Sequence, residues 1–275
     1  INSEYDGTFR LFTGLSYNNL WGTGRAISSR VDINNHVYRI DRPTYKTTIG
    51  YLEPFILDNL TSGRVNFTSV ETIKELPEEG SKIATFNQSN RIDLSLQRDF
   101  TKDFKFIWTV WSLDSIKTFK VNTKPESSVD EVVTIGPTLE FDNRDNPFSP
   151  TKGVYARLSY DYSSPNLGSS KDVEFYRVTS GVSFYLPLNK SRDFIWANNI
   201  QGGYVENLSD RTGSGIPEGY YFRLGGRSTI RGFDAGDDDE SLVPEYEYDP
   251  NPGPLINNNP YITTQSHFYL FKSEF

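Results

Sequence analysis

Val154-Tyr155-Ala156-Arg157-Leu158-Ser159-Tyr160-Asp161-Tyr162 alternates between two kinds of residue without a break. Val154, Ala156, Leu158, Tyr160 and Tyr162 fall on one side, and Tyr155, Arg157, Ser159 and Asp161 on the other. Successive side chains point to opposite faces only in an extended strand, so a period of two this strict specifies β structure. One face is apolar and aromatic; the other carries charge. A strand of this kind stands between an apolar medium and a wet one.

The same alternation recurs along the chain. Leu11, Thr13, Leu15 and Tyr17 oppose Arg10, Gly14, Ser16 and Asn18, and the glycine-bearing turn Trp21-Gly22-Thr23-Gly24 follows. Ile27, Val31, Ile33 and Val37 oppose Ser28, Arg30, Asp32, Asn34 and His36. Ile92, Leu94 and Leu96 oppose Arg91, Asp93, Ser95, Gln97 and Asp99, and Val133, Ile135, Leu139 and Phe141 oppose Thr134, Thr138, Glu140 and Asp142. Tyr176, Val178, Val182, Phe184, Leu186 and Leu188 form a further stripe. These segments are long enough to cross roughly 25 Å of hydrocarbon when tilted. Short links are expected near Asp58-Asn59, Asp99 to Asp103, Pro147 to Gly153 and Asn189 to Asp193. Longer polar links are expected at residues 75–90, 122–131 and 163–172. Short turns on one rim and long loops on the other describe an up-and-down barrel. The pattern predicts ten strands to Glu206, an eleventh near residues 220–224 and a twelfth starting near Ser266.

Composition agrees. Aromatic residues make up 15% of the 275-residue chain while hydrophobic residues reach only 36%, the balance expected when apolar positions alternate with polar ones. No apolar run approaches the ~18–20 residues of a membrane-spanning helix. With no cysteine, a thiol nucleophile, a cysteine-rich zinc site and a disulfide framework are excluded. A net charge of -8 without any cluster of Lys and Arg argues against a nucleic-acid partner. His36 and His267, the two histidines, each sit in an expected strand without a Ser–Asp arrangement nearby. No nucleophile elbow, phosphate-binding loop or zinc-protease motif occurs. The sequence therefore points to no catalytic residue, metal or cofactor. Residues 234–264 stand apart, with Asp237-Asp238-Asp239-Glu240, four prolines between Val243 and Pro254, and Asn257-Asn258-Asn259. They read as a long solvated external loop, or alternatively as an acidic calcium-binding loop whose spacing fits no EF-hand.

Two segments carry a resemblance that periodicity could not supply. Gly225-Gly226-Arg227-Ser228-Thr229-Ile230-Arg231-Gly232-Phe233 resembles the sixth-loop motif of the Omp85 superfamily, which ends in Arg-Gly-Phe or Arg-Gly-Tyr. Leu139 to Gly153, with its run Asp142-Asn143-Arg144-Asp145-Asn146-Pro147-Phe148-Ser149-Pro150-Thr151-Lys152-Gly153, resembles a second signature of that superfamily, a strand ending in an Asp-x-Arg-Asp-x-Pro-Phe-x-Pro-Thr-x-Gly turn. Asn18 to Gly24 looks like the family's first hairpin and Tyr51 to Phe55 like its third strand. The order and spacing of the four hold across nearly the whole chain.

The resemblance implies an all-β fold, a transmembrane up-and-down antiparallel β-barrel of which residues 1–275 supply about twelve of an expected sixteen strands, including the sixth-loop segment 225–264. It places the POTRA domains and the final strands outside these residues. The chain is then a piece of a longer barrel or is completed by a second chain; a twelve-stranded barrel ending at Phe275 is the alternative. The implied function is assembly and insertion of β-barrel proteins, as in the BamA-like branch. The alternatives are a translocation-assembly module, a two-partner secretion transporter, and, from another class, a passive porin or receptor barrel. The implied partners are outer-membrane lipids, unfolded barrel substrates and accessory lipoproteins, in the outer membrane of a Gram-negative-type bacterium or, as the alternative, of an organelle. By the same resemblance Arg231 sits at the tip of a loop folded into the lumen, where its guanidinium pairs with wall carboxylates as a lysine would do less well. Gly232 allows close backbone approach, Phe233 packs, and Gly226 belongs to the same loop-anchoring motif. Whether Arg231 only stabilises the barrel or takes part in transport stays open. The first strand, with Gly14, Asn18 and Asn19, would form one side of a lateral seam that templates an incoming strand, or would be an ordinary closing strand. Asp142, Arg144 and Asp145 read either as a charged rim cluster or as the frame of a turn with Pro147, Phe148 and Gly153, with Asp142 favoured for a lumenal pair.

Overall fold

The computed structural model describes residues 8–36, 39–56, 60–78, 81–121, 126–191, 193–209, 216–222, 224 and 266–275. Among these, eleven strands form one antiparallel sheet in which every neighbour is the next strand in the chain. They are β1 (Thr8–Leu20), β2 (Arg25–His36), β3 (Arg39–Glu53), β4 (Thr61–Glu78), β5 (Ser81–Asp99), β6 (Phe104–Val121), β7 (Glu126–Asp142), β8 (Gly153–Ser163), β9 (Phe175–Pro187), β10 (Ile195–Asn207) and β11 (His267–Glu274). Two single 3-10 turns, Pro165–Leu167 and Glu218–Tyr220, are the other regular elements described. The expected up-and-down meander is present.

Register explains why the alternation works. Tyr17, Ile27, Tyr51, Val65, Leu94 and Trp111 stand opposite one another in a single row across six strands. The adjacent row runs Ser16, Ser28, Gly50, Asn66, Asp93, Ser112, Thr134, Ser163. A one-residue slip at any strand would exchange the two faces. The apolar rows leave Leu15, Tyr17, Ile49, Leu158 and Ile200 exposed, a band that water would penalise and hydrocarbon accepts.

The sheet curls. The ring of Tyr220 lies 5.1 Å from that of Phe175 on β9, while its hydroxyl meets Arg91 on β5 at 3.2 Å. Strands four places apart are about 19 Å from each other along a flat sheet, so one tyrosine meets both because the wall bends around it. The small, polar rows occupy this inner face. Near the rim that carries the 164–174 and 208–266 connections, the inner face instead holds an apolar cluster of Val132, Val173, Phe175, Val205, Ile216, Tyr220 and Phe222.

Three expectations about boundaries are corrected. Residues 75–90 are mostly not a loop, because β4 and β5 stay paired to Glu78 and Ser81. Likewise β6 and β7 pair to Lys120 and Glu126 within the expected 122–131 link. Few large apolar residues mark these hairpin ends in the sequence; ladder hydrogen bonds do not need apolar alternation once a strand stands in water. The eleventh strand expected at residues 220–224 is a 3-10 turn followed by an inward-packed segment, and the strand from His267 pairs directly with β10. Its Tyr220, Tyr221 and Phe222 look strand-forming, but Tyr220 and Phe222 are buried in the inner cluster. Of the expected 163–172 link, Ser163 still pairs with Thr134 and Phe175, and residues 164–172 leave the ladder, closing over Pro165–Leu167.

The β7–β8 pairing skips between Ile135–Tyr162 and Thr138–Ser159. Gly136 sits in that gap, where a Cβ would fall 1.8 Å from the Tyr160 carbonyl oxygen. Backbone cannot yield as a side-chain tip can. Gly136→Ala in the full-length protein should cost on the order of 1–3 kcal/mol, as overpacking does. A urea midpoint equal to wild type, read by heat-modifiable gel migration, would refute this.

Candidate functional site

The turn between β7 and β8 is built from its own side chains. Asp145 accepts from the backbone N–H of Asn146 at 3.0 Å, of Thr151 at 2.9 Å and of Lys152 at 3.2 Å, and from the Thr151 hydroxyl at 2.5 Å. Asn146 Oδ1 accepts from the N–H of Phe148 at 2.9 Å, and Asn143 Oδ1 from that of Val154 at 2.7 Å. Gly153 closes the turn at φ +109°, and a Cβ there would lie 2.7 Å from both the Arg144 Cα and the Asn143 carbonyl oxygen. Glycine is needed on both counts. Pro147 and Pro150 stand where no N–H is called for, and Phe148 is held 98% exposed.

Arg144 serves both readings of this segment. Its Nε and one terminal nitrogen fork onto the Asp142 carboxylate at 2.8 Å each, and the other donates to the Pro147 carbonyl at 3.2 Å. Its guanidinium also lies 4.7 Å from the centre of the Tyr155 ring. The charged pair and the turn are thus one structure, since a lysine could not fork, stack and cap at once. Beside it, Glu140 lies 3.5 Å from Lys105 and 3.6 Å from Arg157.

A second constellation was not legible in the sequence as a unit. Arg91 on β5 pairs with Asp114 on β6 at 2.7 Å, and the Ser89 hydroxyl donates to the other Asp114 oxygen at 2.6 Å. The Arg91 guanidinium donates to the Tyr220 hydroxyl at 3.2 Å, which stands 3.5 Å from Asp114. Nearby, Arg177 on β9 lies 5.0 Å over the Phe222 ring, opposite Asp161 on β8. Inward charges were expected at Arg91 and Asp161; nothing local names Tyr220, 129 residues from Arg91, as the group they meet.

The edge-strand residues have separate roles. Gly14, Ser16, Arg30, Asp32, Lys46 and Thr48 border an open polar concavity of about 740 Å³ on the inner face of β1 to β3. Asn19 frames the β1–β2 turn, its Oδ1 accepting from the Gly24 N–H at 2.9 Å. Asn18 is exposed. Gly226, Arg231, Gly232 and Phe233, and the acidic run Asp237 to Glu240, lie outside the described residues. The structure brings none of the Asp142–Gly153 turn to the Arg91–Tyr220 constellation, which sits on inner positions nearer the opposite rim.

The four acceptor bonds hold the Asp145 carboxyl well below the usual carboxylate range, the Thr151 hydroxyl contributing most. A depressed pKa gives stability that is complete above the ordinary carboxylate value and lost only as pH falls through the lowered one. Asp145→Asn in the full-length protein should therefore speed amide exchange at Thr151 and Lys152 by a margin constant from neutral pH to about pH 5. Equal exchange in both proteins at neutral pH would contradict this reading.

A family model described as the Omp85 superfamily domain matches residues 19–242. The fold is similar to BamA from Haemophilus ducreyi lacking POTRA domains 1-3, at 16% identity and a TM-score of 0.62, over 82% of this chain and 43% of that one. It is also similar to CdiB from Escherichia coli, at 15% identity and a TM-score of 0.58, over 82% of this chain and 41% of that one. At such identities the likeness carries the fold alone. The chain spans less than half the length of either.

Proposed function

Because the chain belongs to the Omp85 superfamily, we propose that it is barrel wall from an outer-membrane machine that inserts or translocates polypeptides, and more finely that it assembles other β-barrel proteins. The observation that carries the reading is the docking of residues 216–222 inside the curled wall, directly before the segment resembling the sixth-loop motif. A passive pore needs a clear lumen; an apolar segment lodged in it suits a protein that must stay sealed while handling chains. The finer step is strand templating at the edge of β1, which pairs with β2 alone among the described residues. Its polypeptide partners would be unfolded barrel proteins, with accessory lipoproteins and a second chain or segment completing the wall, in the outer membrane of a Gram-negative-type bacterium.

Translocation of a secreted polypeptide is the second reading, and the comparable likeness to CdiB favours keeping it. The two separate in cells depleted of the native protein and supplied with Arg231→Ala in the full-length gene. Loss of several other barrel proteins from the outer membrane, with single cysteines at Thr13 and Leu15 crosslinking to nascent barrels, is the expected result. Normal barrel levels with loss of one secreted polypeptide would establish translocation instead. Normal levels of both would sink the family of readings.

A further inference from the structure

Among the described residues the inner wall gathers apolar side chains into a buried cluster in one place. Its rows are mostly polar, with scattered apolar positions such as Phe12 and Val70, but Val132 on β7, Phe175 on β9 and Val205 on β10 are buried together at inward positions near the long-loop rim. In a water-filled lumen such a patch would be exposed. It is covered by Ile216, Tyr220 and Phe222 of the segment that follows β10. Gly203 on β10 makes the room: a Cβ there would fall 2.5 Å from the Phe222 ring and 2.5 Å from the Phe268 ring. Phe222 packs on Phe268 with ring centres 4.9 Å apart. The wall is shaped to receive this segment.

Apolar contact alone is non-directional and fixes no depth or register. The directional part comes from Tyr220, whose hydroxyl lies between the Arg91 guanidinium and the Asp114 carboxylate. Asp114 keeps its bonds to Arg91 and Ser89 without the tyrosine. Removing the hydroxyl therefore strands no buried charge. A bond that can be released without leaving an orphan is suited to a latch.

We propose that Tyr220, held by the Arg91–Asp114 pair, latches residues 216–222 as a strap across the lumen, and that release of this latch opens the lumen. The proposal rests on the membrane-barrel reading above and deepens it: Tyr220 is a positioning residue, acting through the strap.

The test uses the full-length protein in planar lipid bilayers, with Tyr220→Phe, Phe175→Ala and, as a control on the outer face, Tyr204→Phe. Tyr220→Phe should raise the open fraction about tenfold, the change expected for one hydrogen bond to a charged group, with unaltered heat-modifiable migration. Phe175→Ala, which leaves the hydrogen bonds and removes the ring contact, should also raise it, and Tyr204→Phe should not. Wild-type conductance in Tyr220→Phe and Phe175→Ala, with both folded, would overturn the latch. A purely structural role would shift the unfolding midpoint and leave the open fraction unchanged. The two levels fail separately: unchanged conductance with intact polypeptide handling in cells removes the latch and leaves the function. Raised conductance in a protein whose loss affects no polypeptide removes the function and leaves the latch.

Discussion

Everything in this molecule follows from the need to hydrogen-bond each backbone N–H and C=O where no water can do so. Antiparallel pairing of each strand with the next meets that need with the shortest connections. It also forces side chains to alternate between lipid and lumen. The row from Tyr17 to Trp111 and the neighbouring row from Ser16 to Ser163 are the two halves of that consequence. Where a chain locally departs from the ladder, as at Gly136, the departure is paid for by a glycine that lets one carbonyl approach within the space of a missing Cβ.

The same constraint decides what the lumen can hold. A wall whose inner rows are mostly polar has many donors and acceptors and little clustered apolar surface. Where valine and phenylalanine gather there instead, something dry must cover them, and Ile216, Tyr220 and Phe222 do so. Charge then enters the interior as a paired set. Arg91 and Asp114 face each other across β5 and β6 at 2.7 Å, and the tyrosine joins them without becoming essential to either. Arg177, stacked on Phe222, leaves its Nε without a hydrogen-bond partner, so the aromatic face supplies part of what a carboxylate would.

The strands were legible in the sequence wherever one face met lipid, because there the alternation is chemical as well as geometric. Val154 to Tyr162 is strand in the structure, and so are the stripes of β1, β5 and β7, that of β2 up to Ile33, with Val37 outside the described residues, and that of β9 up to Leu186. Legibility failed where the physics stopped writing in that alphabet. Beyond the membrane band, residues 75–78 and 81–90 stay paired in β4 and β5, but the few large apolar residues of that stretch, Leu76, Ile83 and Phe86, mark no alternation and it reads as a loop. Inside the lumen, residues 220–222 carry strand-forming aromatics that serve packing, not pairing. The turn at Asp142 to Gly153 was readable as chemistry because the bonds of Asp145, Asn146 and Asn143 that shape it are local, within eleven residues. The Arg91–Tyr220 contact spans 129 positions, and no local pattern can encode a partner that only the curl of the sheet brings near.

The two rims differ for a reason that the turns make plain. At the rim of residues 143–152, Asp145 and Asn146 satisfy five backbone N–H groups within the turn itself, and Arg144 ties the turn to Asp142 and Tyr155 of the strands it joins. The chain leaving β10 takes the other course: Tyr220, Ile216 and Phe222 bury themselves in the wall, and the hydroxyl of Tyr220 depends on β5 and β6 for its partners. A turn held by its own bonds and its two strands can be rigid whatever the rest of the barrel does. A strap whose bonds belong to the wall moves when the wall does, and the wall changes when the strap lets go. Among the described residues that coupling is seen at the rim of the long connections, and it is where a machine built on this sheet would place its moving part.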